Sequence, residues 1–161
     1  MATSTYVLAS TNVSPLILPE RTGDMTVRYN IPYTVINTNG TSATGDTLLV
    51  SLGVTPASWT VQGAIAYISP AFAGVTSQAG TVSVGTTTNL TAFIASASMF
   101  TAGVLQPANG INSVNVPTAS LGTSAITLTA AIVNATTGTL QTFTAGNLVI
   151  ELAVIDPTLI S

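Results

Sequence analysis

Hydrophobic and polar positions alternate with a period of two in several stretches of this chain. In "AGTVSVG" (79–85), Val82 and Val84 fall on one face and Thr81 and Ser83 on the other, the signature of a half-buried strand. "NLVIELAVID" (147–156) repeats the pattern with Leu148, Ile150, Leu152 and Val154 on one face. Its other face holds Val149, Glu151, Ala153 and Ile155, and Glu151 marks that face as solvent or a subunit contact. "MTVRYNIPYTVI" (25–36), "TLLVSLG" (47–53), "VQGAIAYIS" (61–69) and "SAITLTAAIV" (124–133) are rich in strand formers. "QPANGINSVNV" (106–116) reads as a turn followed by a strand. Asn39-Gly40 and Asn109-Gly110 are turn dipeptides between such runs. Pro32 suggests an edge or a bulge, and Pro157 closes the last strand.

Helical spacing occurs once. In "NLTAFIASASMFTAGV" (89–104), Leu90, Phe93 and Ile94 stand at i, i+3 and i+4, and Asn89 is placed to cap them. The spacing predicts a short helix or helical turn ending before Gly103. The whole reads as an all-β chain, a β-sandwich of jelly-roll type with seven or eight strands and at most one short helix. Residues 1–24, with Pro15 and Pro19 and little periodicity, are expected as an extended N-terminal arm. Residues 25–161 are expected as a single domain. No repeat of 20–50 residues is visible, which disfavours a solenoid.

Composition sharpens this picture. The 161 residues are 47% hydrophobic and 4% charged, against about 25% charged in ordinary soluble domains. Lysine, histidine and cysteine are missing. Thr, Ser, Asn and Gln therefore carry the polar surface. Two arginines and no lysine neutralise few phosphates, so neither nucleic acid nor an anionic membrane surface is an expected partner. Mean hydropathy is +0.60. No apolar run reaches the roughly 18 residues of a spanning helix, and "MATSTYVLAS" lacks the basic start and apolar core of a signal peptide.

The chemistry is sparse. Acid–base catalysis draws mainly on His, Asp, Glu, Lys and Cys, and three of these types are missing. A Ser-His-Asp triad, a lysine-bearing phosphate loop and the usual zinc sites are excluded. Neither catalytic residues, nor a cofactor, nor a metal site is expected. The Asn-x-Ser/Thr triplets at Asn12, Asn39, Asn89 and Asn134 are background. "TTT" (86–88) and "TLT" (127–129) resemble ice-binding threonine arrays but lack their regular repeat.

Charge is concentrated in "PERTGDMTVRY" (19–29). Glu20, Arg21, Asp24 and Arg28 are four of the seven charged side chains, the chain having two arginines and five carboxylates. The plain reading is a solvated turn. The sharper one is that both arginines are anchors for a partner's carboxylates, placed where the arm meets the first strand. Because uncharged edge strands aggregate unless guarded, a chain with so few guards is expected to have its edges covered by loops or by partner subunits.

"AYISPAFAG" (66–74), "TVSVGTTTNLTAFIASASMFTAGV" (81–104) and "TAGNLVIELAVID" (144–156) together resemble a group of small virion proteins of tailed bacteriophages. The shared pattern is a strand leading to an aromatic-Gly turn, a strand ending in Val-Gly, an Ala-Phe turn, and two Thr-Ala-Gly runs. The resemblance implies a structural protein of the virion, of the capsid decoration or cement type. It implies a jelly-roll-like homo-oligomer, with a trimer favoured, made in the host cytoplasm. Its partner would be the major capsid protein, at the capsid surface. No catalytic residue is carried over. This chain departs from many members of the group in its poverty of charge. The alternative is a tail or head-fibre β-domain that binds a host receptor or glycan, with Trp59, Tyr67 and Phe72 as stacking candidates.

Overall fold

The computed structural model describes residues 2–17, 24–55, 60–74, 80–105, 119–120, 126–134 and 138–155. Eleven strands are present among these residues. They are β1 (Thr3–Val7), β2 (Val13–Ile17), β3 (Asp24–Pro32), β4 (Thr47–Thr55), β5 (Thr60–Ile68), β6 (Thr81–Thr86), β7 (Ile94–Ser98), β8 (Gly103–Leu105), β9 (Ala119–Ser120), β10 (Ile126–Val133) and β11 (Asn147–Ile155). One α-helix, α1 (Tyr33–Asn39), lies between β3 and β4.

The strands form two sheets. Sheet A runs β1-β4-β10-β6-β7, and sheet B runs β2-β3-β11-β5-β8 with β9 also paired to β5. The antiparallel pairs β3·β11, β4·β10, β5·β8 with β9, and β6·β7 are nested one inside the next. Such nesting is a long hairpin ribbon. The pairs β11·β5 and β10·β6 show how it is rolled up, which is the jelly-roll arrangement. Eight strands make this kernel, as the sequence pattern leads one to expect. The additions are β9, paired to β5, and β1, parallel to β4, and β2, antiparallel to β3, the last two from the stretch expected as an arm.

The core lies between the sheets and follows the period-two pattern. Leu48, Val50 and Leu52 of β4, Val82 and Val84 of β6, and Ala130 and Ile132 of β10 close it from sheet A. Val27, Tyr29 and Ile31 of β3 and Leu148, Ile150, Leu152 and Val154 of β11 close it from sheet B. Each fully buried Val, Leu or Ile contributes about 1.5–3 kcal/mol in removing apolar surface from water. Tyr29 is 5% exposed, and burial pushes its hydroxyl pKa up to about 12.

The helix is not where spacing placed it. Residues 89–93 form a turn and 94–98 form β7. Asn89 does not cap a helix. Its side-chain Oδ1 accepts from the Thr91 N–H (3.2 Å) and hydroxyl (3.1 Å), while its carbonyl accepts from the N–H groups of Thr86 and Ala92. Asn favours such self-closing turns, which compete with a helix. The turn folds back so closely that a Cβ on Gly85 would overlap the Asn89 carbonyl. Beyond it, "IASAS" alternates with a period of two.

Strand β3 in turn stops at Pro32, and Tyr33–Asn39 coils into α1 despite its β-branched composition. Tertiary contacts override propensity here. Ile36 is fully buried. Asn37 clasps the turn before β11, donating from Nδ2 to the Phe143 carbonyl (2.6 Å) and accepting the Phe143 N–H on Oδ1 (3.1 Å). Phe143 packs edge-on against Phe72 with ring centroids 5.4 Å apart. Gly146, at φ 128°, lies under that ring, where a Cβ would overlap Phe72.

Candidate interaction surface

On the outer face of sheet B, the register sets Ser14, Arg28, Glu151 and Ile65 side by side across β2, β3, β11 and β5. Arg28 and Glu151 are direct cross-strand partners. Arg28 donates to Glu151 Oε1 from Nε (2.8 Å) and Nη2 (2.6 Å). The hydrogen bond and charge of Glu151 raise the Arg28 pKa further above its ordinary value. Apolar groups surround the pair: Ile65 is 51% exposed and Val104 is 67% exposed, and the adjacent row holds the half-buried Tyr67 and Val149, which is buried. Strand alternation puts all of them outside, because their neighbours Ala64, Ala66, Leu105 and Leu148 point into the core.

Of the four charged residues singled out in the sequence, Arg28 is in this row. Asp24 begins β3, opposite Ile155. Glu20 and Arg21 lie outside the described residues, as do Trp59 and Asp156. Nothing in the local pattern marks Glu151 as the partner of Arg28. Each is a lone charge in an alternating strand, but only the β3·β11 register brings them together. Asp46 is fully buried, accepting the N–H and hydroxyl of Thr41 on Oδ2 (2.9 and 2.8 Å). Beside it, the Asn134 N–H donates to the Asp46 carbonyl. That arrangement ties the ends of β4 and β10. Phe72, a stacking candidate, is 4% exposed and belongs to the core. Tyr67 is half-buried on the outer face of sheet B. Among the described residues, no three acidic side chains come together to hold a metal ion, and no helix is long and apolar enough to cross a membrane.

The sheet edges form a second feature. Sheet B has guarded edges: β2 carries Pro15 at its centre, and among the described residues the opposite edge holds the short strands β8 and β9. Sheet A has no such guard. Its edges, β1 ("TSTYV") and β7 ("IASAS"), hold neither charge nor proline. Between β7 and β8 the sandwich opens into a groove of about 290 Å³, lined by small or apolar residues including Ala95, Ala97, Thr101, Val104 and Leu105.

No family model matches the chain, and no curated protein matches it. Among solved structures it is similar to one described as "Capsid of Ralstonia phage GP4". That likeness has 18% identity and a TM-score of 0.47, and covers 87% of this chain and 89% of the other. At that score nothing about function is carried across.

Proposed function

We propose that the chain is a structural component of a tailed-phage virion, and more narrowly a decoration protein that binds the assembled head shell and stabilises it. The observation that carries this reading is the surface. A jelly roll with 4% charged residues leaves two uncharged, proline-free edges on sheet A and exposes Ile65 and Val104 on sheet B. Edges and apolar patches of this kind suit large, permanent contacts between subunits. The segments that resemble phage virion proteins supply β6, β7 and β11, together with the turn after β5, so the resemblance rests on the kernel of the fold.

In this role the protein holds neighbouring capsid subunits together by buried area. Burial contributes at most about 25 cal/mol per Å², much of it offset by the entropy of association. Self-association, as a trimer in this reading, multiplies weak contacts with the shell. The outer face of sheet B is the docking face we favour. Its apolar groups supply area, and Arg28 with Glu151 supplies a directional group that fixes register. Co-sedimentation with emptied heads tests the proposal. The chain should pellet with shells and saturate at a fixed ratio to the capsid subunit. A chain that stays in the supernatant at every concentration refutes it.

A further inference from the structure

We infer that sheet A continues from one copy of this chain into the next, with β7 of one copy pairing to β1 of a second copy. This deepens the assembly reading given above and names its self-contact.

The free hydrogen-bonding groups can be located. Met99 N–H donates to the Gly80 carbonyl, and Ala97 stands opposite Val82 in the same antiparallel register. In such a ladder, alternate residues turn both backbone groups toward the partner. Ala97 therefore faces β6 and Ser98 faces away from it, while between Ala97 and Ile94 the register shifts by one residue, a bulge at Ala95–Ser96. On β1, Thr47 N–H donates to the Ala2 carbonyl and Leu8 N–H to the Ser51 carbonyl, each at 2.9 Å. Ala2, Ser4, Tyr6 and Leu8 thus face β4, and Thr3, Thr5 and Val7 face outward. Among the described residues β1 pairs only with β4, and β7 only with β6. Rows of unmade N–H and C=O groups call for another extended backbone.

The chain carries both halves of such a contact, at opposite edges of one sheet and each five residues long. The two sides also differ in shape. Beside β1, the chain crosses from sheet A to sheet B through residues 8–12, and Leu8, 7% exposed, closes the gap between the sheets. Beside β7, the chain also crosses between the sheets, through residues 99–102, and leaves a groove of about 290 Å³ between that crossing, β7 and β8. Two β7 edges facing each other would set groove against groove and leave a void without packing partners. A β1 side against a β7 side sets the closed flank against the grooved one. Small side chains on β7 (Ala95, Ser96, Ala97, Ser98) allow close approach. A contact between unlike edges is heterologous, so it closes into a ring or runs on as a filament.

The test is the mass of the isolated full-length chain by light scattering, with two variants, one at each edge. Thr5→Pro removes an N–H that points away from the parent sheet and so spares the existing ladder, and Ser96→Pro sets a proline at the bulge of an edge strand, where a sheet tolerates it. Ser96→Lys and Thr5→Lys, at exposed positions, serve as second variants should a proline variant fail to fold. We expect the wild-type chain as an assembly of several 16.2 kDa copies, a ring at one fixed multiple or a filament at a spread of them, and all four variants as single chains. A mixture of a Ser96 variant with a Thr5 variant keeps one intact β7 and one intact β1, and should stop at two chains. Wild type that is monomeric at micromolar concentration overturns the inference. So does assembly that survives the Thr5 variants but not the Ser96 ones, which would mean β7 against β7. A chain that binds shells yet stays single in solution refutes this inference alone. One that self-associates but ignores shells refutes the decoration role alone.

Discussion

The two sheets of this sandwich share one core but present opposite surfaces. Sheet B ends on edges ill suited to pairing, with Pro15 on one side and the short strands β8 and β9 on the other, while its outer face carries Ile65 and Val104 around the Arg28–Glu151 pair. Sheet A is the reverse. The small outer-face groups Ser83, Thr129 and Ala131 are themselves buried, and among the described residues its edge strands β1 and β7 each pair on one side only. The difference teaches that scarcity of charge is not uniform stickiness. In the assembly we propose, sheet A is extended sideways and sheet B is covered from above.

The largest expected effect breaks sheet A. Ser96→Lys should abolish self-association, whereas Val104→Lys on sheet B should leave the mass unchanged and weaken sedimentation with shells. If Val104→Lys also dissociates the assembly, the division of labour between the sheets is wrong. Next is the shared core. The Tyr29 pKa is about 12 in the fold and about 10 in an unfolded chain, so stability is whole below pH 10 and is lost as pH rises toward 12. At 1.36 kcal/mol per unit, the loss reaches about 3 kcal/mol. Denaturant titrations at pH 8 and pH 12 should show it as one transition for both sheets, and Tyr29→Phe should remove the Tyr29 share of it. A smaller effect, about 2 kcal/mol, is expected for Asn37→Ala, which leaves the Phe143 backbone groups without their partner. That clasp links the β3–β4 connection to the β10–β11 connection, so thermal unfolding should shift without a change in assembled mass. The smallest effect is on Arg28→Met. An exposed ion pair adds little to stability, so the unfolding midpoint should hold while shell docking weakens. Unchanged docking would reduce the pair to a solvated ornament of the sheet.

Much of this was legible in the sequence, for physical reasons. Where a strand buries one face, the pattern declares itself, as in β6 and β11, and the all-β sandwich follows. The pattern failed where local chemistry was decided by distant groups. Leu90, Phe93 and Ile94 have helical spacing, yet Asn89 closes a turn on Gly85 instead. Tyr33–Asn39 has strand composition, yet Phe143 holds it as a helix. The interaction surface was half legible. Arg28 stood out as a rare charge, but its neighbours depend on register, and the free edges depend on which strand has no neighbour. Neither is written locally in the chain.

Amide hydrogen exchange at the two edges of sheet A tests the central claim most directly. In the assembled wild-type chain, the outward N–H groups of Thr5 and Ser98 should be protected, and in the Thr5→Lys chain the Ser98 N–H should exchange freely. Equal and rapid exchange at Ser98 in both proteins, with the Ala97 N–H protected in both, would mean that sheet A ends in water and that the chain does not assemble through its edges.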